Sequence, residues 1–144
     1  MSIKYVVACD SSDASRRAVD LAVELAASNG ASVLFAHVLE WSPYSFLTPT
    51  ELEERHKRRG EELERAKVAL LDPIVNSIKD KNIPVETVIK YGHVAETLTE
   101  LCKTEQASQL FIGRTGESTL AARVFGSVAG ALAQITTVPC TIVP

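Results

Sequence analysis

Two hydrophobic patterns alternate along this chain: short apolar runs, and longer stretches in which apolar residues recur every three or four positions. The short runs predict β-strands over residues 3–9, 31–39, 84–91, 109–112 and 138–143. The longer stretches predict helices over residues 14–26, 51–80, 94–102 and 128–135. Because strands and helices alternate from end to end, we predict an α/β protein with an open five-stranded parallel sheet and helices on both of its faces.

The longest helical stretch, residues 51–80, contains two residues that disfavour a straight helix. Gly60 and Pro73 predict a bend or a break near one of them. The loop before this helix, residues 40–50, carries Trp41, Tyr44 and Phe46. Three roles remain open for these aromatic side chains: they cover the core, cover a ligand or contact a partner.

Size and composition are typical of one globular domain, which we expect to span residues 1–144. Of the 144 residues, 46% are hydrophobic and 23% are charged, which argues against disorder. The formal net charge of −3 provides no basic field that would attract nucleic acid or an anionic membrane. No apolar run approaches the roughly 20 residues that cross a bilayer. We therefore expect no nucleic-acid partner and no membrane insertion.

The three cysteines, Cys9, Cys102 and Cys140, lie far apart in separate apolar stretches. We expect buried, unpaired thiols, which are normal in a reducing compartment and favour a cytoplasmic location. No metal-ligand spacing is present. His37 lies within an apolar strand and is predicted to be a core histidine with a satisfied hydrogen bond rather than a catalyst.

Candidate ligand-binding groups occur where the predicted strands end. In an open parallel sheet, ligands bind beyond the carboxyl ends of the strands, where the strand order reverses. The Asp10 carboxylate would repel phosphate at such a position, but it could accept hydrogen bonds from ribose hydroxyls. The residues at the ends of the first, second and fourth strands are Ala8, Cys9, Asp10, Val38, Ile112 and Gly113.

Three glycines lie between the fourth strand and the last helix. Gly113, Gly116 and Gly126 are followed by Ser127, just before a helix N-terminus, which is a position that suits phosphate. Hydroxyl and guanidinium donors share this loop: Arg114, Thr115, Ser118, Thr119 and Arg123. The chain has no GxxxxGK[ST] motif, and no GxGxxG follows the first strand. Spacing alone leaves nucleotide binding and simple turn chemistry equally open.

The spacing from Gly113 to Ser127, G-x2-G-x9-G-[ST], resembles the signature of the universal stress protein family, ATP-binding subgroup. The opening segment YVVACDSSDASRRAVDLA and the closing segment VPCTIVP are also similar to that family. Ser11 stands where many members carry glycine, and Arg114 occupies a variable position. The resemblance covers the whole chain. It implies a Rossmann-like, adenine nucleotide alpha hydrolase-like sheet with strand order 3-2-1-4-5.

The resemblance also implies a ligand, which is ATP, or alternatively ADP or AMP, with Mg²⁺ held mainly by the phosphates and water. Asp10 would contact the ribose or the adenine, and Ala8 and Val38 would line the adenine pocket. The residues implied around the ribose and the phosphates are Ile112, Gly113, Thr115, Gly116, Gly126, Ser127, Val128 and Ala129. Cys9 and Arg114 complete the expected site.

The function that this resemblance implies is a nucleotide-dependent regulatory module in a stress response, acting as a homodimer. The last predicted strand starts at Val138 and ends at Val143, and it would pair edge to edge with a second copy. Without such pairing it would be an exposed apolar edge, which proteins normally avoid. Two alternatives remain open: slow ATP hydrolysis, for which no catalytic base is evident, and a structural dimer module that binds no nucleotide.

Overall fold

A computed structural model of the protein describes residues 2–40, 48–116 and 127–144. Five parallel strands form one sheet in the order β3-β2-β1-β4-β5. The strands are β1 (Lys4–Ala8), β2 (Ser32–Glu40), β3 (Val85–Gly92), β4 (Gln109–Gly113) and β5 (Cys140–Val143). The α-helices are α1 (Asp13–Asn29), α2 (Pro49–Ala66), α3 (Asp72–Ser77), α4 (Val94–Thr104) and α5 (Ser127–Ile135). This arrangement confirms the predicted α/β fold and strand order.

Both faces of the sheet are covered, because alternate strand residues point into two separate cores. Tyr5 and Val7 face the core formed with α1 and α3, whereas Val6 and Ala8 face the core formed with α4 and α5. Strands buried on both faces read as continuous apolar runs. That is why 31–39 contains almost no polar residue.

Helix α1 begins and ends at residues whose chemistry specifies those positions. The Ser12 hydroxyl at the N-cap accepts a hydrogen bond from the Ser15 backbone N–H at 3.1 Å. At the other end, Gly30 adopts a left-handed conformation with φ 69°, which glycine accommodates without strain. The helix start is therefore locked immediately after the end of β1.

The predicted break in the long helical stretch occurs at Pro73 and not at Gly60. Helix α2 runs through Gly60, and the five residues Lys67–Leu71 then widen into a π-helical turn before α3. The Asp72 N–H donates to the Lys67 carbonyl, five residues back. Proline has no N–H, and its ring crowds the preceding turn, so a wider turn accommodates it.

Helix α2 lies on the surface and buries none of its side chains. It is connected to the sheet through Tyr91 in β3. The Tyr91 hydroxyl lies 3.2 Å from the Arg59 carbonyl and 3.0 Å from Glu62 Oε2, and the Arg59 guanidinium lies 5.0 Å from the centre of the Tyr91 ring. On the exposed surface of α2, Glu54 and Arg58, four residues apart, form an ion pair at 3.6 Å.

Most element boundaries differ from the sequence predictions by one to three residues. The strand predicted over 138–143 begins only at Cys140, because the Thr136 side chain closes a turn with the backbone of Val138. Strand β2 continues one residue further, to Glu40. The aromatic residues Trp41, Tyr44 and Phe46 lie outside the described residues. No helix in the described part of the chain is long and apolar enough to span a membrane.

Candidate functional site

The strand order reverses between β1 and β4, and the carboxyl ends of these strands lie side by side. The chain leaves β1 towards β2 on one side, and it enters β4 on the other side after crossing the sheet through α4. At such a reversal the two crossover connections diverge and leave a crevice. A cavity of ≈ 310 Å³ opens there. Ligand cavities in proteins begin at about this volume.

Twelve of the thirteen predicted site residues line this one cavity. They come from the ends of β1, β2 and β4 and from the first turn of α5: Ala8, Cys9, Asp10, Val38, Ile112, Gly113, Arg114, Thr115, Gly116, Ser127, Val128 and Ala129. The thirteenth, Gly126, lies outside the described residues, as do Ser118, Thr119 and Arg123. The structure therefore brings together residues that lie up to 121 positions apart in the sequence. The identity of the ligand that they bind stays a prediction.

Part of the cavity wall is apolar and belongs to the core beneath α4 and α5. Ala8 and Ile112 are buried strand residues, and Val94 and Leu98 reach the cavity from the first turns of α4. A flat apolar group such as a nucleobase gains by leaving water against such a surface. This apolar wall gives the cavity a side that suits a nucleobase.

The Asp10 carboxylate is held by the first turn of α1. The Ser12 N–H donates to Asp10 Oδ1 at 2.8 Å, and the Ser12 hydroxyl donates to the same oxygen. The Asp10 N–H in turn donates to the Ser15 hydroxyl oxygen at 2.9 Å. Three hydrogen bonds therefore fix both the backbone and the side chain of Asp10 at the end of β1.

The glycines at the end of β4 lie close to that same turn. A Cβ atom on Gly113 would lie 2.7 Å from the Ala14 carbonyl carbon, so no side chain fits there. A Cβ atom on Gly116 would lie 3.5 Å from Asp10 Oδ2, which is an ordinary contact. Gly113 is thus required by the packing of β4 against α1, whereas Gly116 borders the Asp10 carboxylate inside the cavity.

His37 and Cys9 share a hydrogen bond at the base of the cavity. His37 Nδ1 lies 2.6 Å from the Cys9 carbonyl oxygen, and a carbonyl only accepts, so Nδ1 carries a proton. The prediction of a satisfied histidine is consistent with this bond, but His37 is half-buried and lines the cavity. Burial raises the pKa of the Cys9 thiol, and the negative Asp10 side chain raises it further. Cys9 is therefore a neutral packing residue and not a nucleophile.

The start of α5 supplies the other side of the cavity. Ser127 is the first residue of this nine-residue helix, and Val128 and Ala129 line the cavity beside it. A helix start presents unpaired backbone N–H groups and partial positive charge. The lining of the cavity therefore includes both a carboxylate and a helix N-terminus, and the exposed Arg114 lines it as well.

Metal-binding groups are sparse around this cavity. In residues 2–40, 48–116 and 127–144, no group of three or more histidine, cysteine, aspartate or glutamate side chains is placed to hold a metal ion. All three cysteines are free thiols, and Cys9 and Cys102 are buried.

Seven residues line the cavity that sequence reasoning did not select: Ser12, Ser15, Ala36, His37, Glu40, Val94 and Leu98. Ser12 did carry a signal, because its position between a strand and a helix predicts an N-cap. Val94 and Leu98 matched the pattern of a helix packed on the core, and nothing in that pattern distinguishes a cavity wall from a core contact.

The parallel order and the cavity at its reversal place this chain in the class of doubly wound α/β proteins. The model of the universal stress protein family matches residues 1–144. The chain therefore belongs to the universal stress protein family.

Individual relatives agree with this assignment. Universal stress protein YxiE of Bacillus subtilis (strain 168) is 28% identical over an alignment of 153 residues, and this alignment covers 97% of each chain. The structure of universal stress protein UspA from Lactobacillus plantarum superimposes with a TM-score of 0.85 at 22% identity, covering 99% of this chain and 97% of that one. A universal stress protein in complex with cAMP matches with a TM-score of 0.70 at 27% identity, covering 99% and 97%.

Proposed function

We propose that this protein binds an adenine nucleotide, ATP or alternatively ADP or AMP, in the cavity at the carboxyl ends of β1 and β4. The observation that carries the proposal is the polarity of that cavity, whose lining includes both the Asp10 carboxylate and the start of α5. A nucleoside phosphate has the matching polarity, because its ribose donates hydrogen bonds and its phosphates are anionic. The related universal stress protein in complex with cAMP supports an adenine nucleotide as the ligand.

Each part of the nucleotide has a complementary part of the cavity. The base would pack on the apolar wall that includes Ala8, Val38 and Ile112. The ribose hydroxyls would donate to Asp10, and the phosphates would meet the backbone N–H groups at the start of α5 together with the Ser127 hydroxyl. Mg²⁺ would be held by phosphate oxygens and water, since the described side chains form no metal site.

The proposed role of the bound nucleotide is regulatory. Bound ligand would favour one arrangement of the loop after β4, and it can do so only as far as it binds that arrangement more tightly. The Arg114 N–H at the start of this loop donates to the Val143 carbonyl in β5 at 2.7 Å. The edge strand β5 is therefore bonded directly to the loop, and we propose that a homodimer forms along β5, within the segment from Val138 to Val143.

We further propose that residues 1–144 act as a single domain in the cytoplasm as a stress-response module. All three thiols are unpaired, and the two buried ones contribute to the two cores. Unpaired thiols are stable in a reducing compartment.

Thermal unfolding with and without millimolar ATP, ADP or AMP tests nucleotide binding. A ligand that binds only the folded protein raises the melting temperature by mass action. We expect such a rise for the unaltered protein and its loss in Gly116→Val, which places a branched side chain beside Asp10. Gly60→Val is the matched control, because nothing lies within 4 Å of a Cβ atom there. No rise with any of the three nucleotides would contradict the proposal and favour a nucleotide-independent dimer module.

The same samples distinguish binding from hydrolysis. We expect no phosphate release above background, because the sequence offers no evident catalytic base. Phosphate release that Gly116→Val abolishes would instead establish slow ATP hydrolysis. Mass spectrometry of small molecules released from the purified protein would identify a retained nucleotide.

A further inference from the structure

We propose that Ser12 is the positioning residue of the nucleotide site: it holds the Asp10 carboxylate so that one oxygen, Oδ2, is presented to the ribose hydroxyls. The inference rests on the proposed function, because it assigns a role to Ser12 in binding the ribose. Ser12 is not among the site residues predicted from the sequence, and it lines the cavity.

Two donors from Ser12 converge on the same carboxylate oxygen. Its backbone N–H lies 2.8 Å from Asp10 Oδ1, and its hydroxyl donates to Oδ1 as well. The other oxygen, Oδ2, lies beside Gly116, 3.5 Å from where a Cβ atom would stand. Because both Ser12 bonds act on Oδ1, they fix the rotation of the carboxylate and direct Oδ2 towards the glycine loop.

Ser12 also reaches the loop that borders the opposite side of the carboxylate. Its hydroxyl oxygen lies 3.4 Å from the Thr115 carbonyl oxygen, between Gly113 and Gly116. A single hydroxyl therefore contacts both the turn after β1 and the loop after β4. Because the hydroxyl has one proton, which it donates to Asp10 Oδ1, Ser12 lies beside the Thr115 carbonyl without holding it in place.

A purely structural role for Ser12 makes a different prediction. The Ser12 hydroxyl caps α1 by accepting the Ser15 N–H at 3.1 Å, and loss of a cap lowers stability without regard to which ligand binds. A positioning role acts through Asp10, and it affects only ligands whose ribose hydroxyls donate to Asp10. A ligand without those hydroxyls separates the two roles.

The test compares dissociation constants for ATP and 2′,3′-dideoxy-ATP, measured by isothermal titration calorimetry. In Ser12→Ala we expect ATP to bind about fivefold to tenfold more weakly, as for the loss of about one hydrogen bond, and dideoxy-ATP to bind with unchanged affinity. Ser12→Thr keeps the hydroxyl and should restore ATP binding. Thr48→Ala removes the N-cap of α2, a residue that does not line the cavity, and should change neither dissociation constant.

Glycine at an N-cap costs only a few tenths of a kcal/mol relative to serine, so Ser12→Gly repeats the test in a helix that stays capped. Equal weakening of both ligands in these variants, or no weakening of either, would overturn the role of Ser12 while leaving nucleotide binding intact. Equal affinity of the unaltered protein for ATP and dideoxy-ATP would overturn it too, because Asp10 would then hold no ribose. Binding of neither ligand would overturn the proposed function itself.

Discussion

Gly113 at the end of β4 lies against the backbone of Ser15 in α1, so closely that a Cβ atom at position 113 would stand 2.7 Å from the Ser15 nitrogen. Contacts this short with backbone atoms cannot be relieved by turning a side chain. The first glycine of the G-x2-G-x9-G-[ST] signature is therefore required for folding, whatever the cavity binds. The approach of β4 to α1 also brings the loop after β4 next to Asp10.

Gly113→Ala should lower the free energy of unfolding by about 1–3 kcal/mol, because the new methyl group forces β4 and α1 apart. Urea denaturation followed by circular dichroism measures the change. The matched control is Gly60→Ala, on the exposed surface of α2 with open space around it, which should raise stability by roughly 0.5–1 kcal/mol through helix propensity. Equal stability of the unaltered protein and Gly113→Ala would refute the packing argument.

Gly116→Ala should leave the free energy of unfolding within about 0.5 kcal/mol of the unaltered protein, since its Cβ makes only an ordinary contact with Asp10 Oδ2. The same methyl group stands between the carboxylate oxygen and an incoming ribose. We expect the dissociation constant for ATP to rise about fivefold, which corresponds to loss of about one hydrogen bond. Urea denaturation measures the stability, and calorimetry on the same preparation measures the dissociation constant. A variant that unfolds easily but binds ATP normally would contradict both expectations.

Tyr91→Phe should loosen α2 without weakening the rest of the protein. Helix α2 buries no side chain, and the Tyr91 hydroxyl provides hydrogen bonds to the Arg59 carbonyl and to Glu62. A segment with few buried contacts opens locally at low free-energy cost. Hydrogen–deuterium exchange should therefore be faster in α2 of the variant and unchanged in β1 and β2. Uniformly faster exchange across all elements would mean that Tyr91 supports the whole fold.

Stability should fall at alkaline pH in part because of Cys102. Burial raises the pKa of this thiol from its ordinary value of 9.0 to about 11, so the unfolded chain loses the proton first. The contribution of Cys102 is fully present below pH 9, and it is lost as pH rises from 9 towards 11, by roughly 3 kcal/mol at most.

Cys102→Val tests this pH dependence, because valine fills a similar volume and does not ionise. Urea denaturation at pH 8, 9, 10 and 11 under reducing conditions should show a smaller decline for the variant. The comparison of the two proteins removes the contribution of Lys4, whose pKa is raised mainly by its hydrogen bond to Glu105 and which also loses its proton in this range. Parallel declines in the two proteins would show that Cys102 ionises equally in the folded and unfolded states.

At the ends of the helices, the local sequence is sufficient to predict the structure. Ser12 and Gly30 mark the start and end of α1, because an N-cap hydroxyl and a left-handed glycine act on residues within one helical turn. For the long helical stretch, the sequence predicted a bend or a break near Gly60 or near Pro73 and did not choose between them. The choice of Pro73 over Gly60 follows from chemistry, since glycine only weakens a helix but proline removes a hydrogen-bond donor.

The candidate site likewise has some features that the sequence predicts and others that depend on the tertiary structure. The amino-acid sequence by itself determined the alternation of strands and helices, the helix ends and the glycine spacing, because these depend on neighbours along the chain. Only the tertiary structure decided that Gly113 serves packing against α1, that Ser12 holds Asp10, and that Val94 and Leu98 line a cavity. Such contacts join residues up to about a hundred positions apart, and they exist only once the parallel sheet has brought the ends of β1 and β4 together.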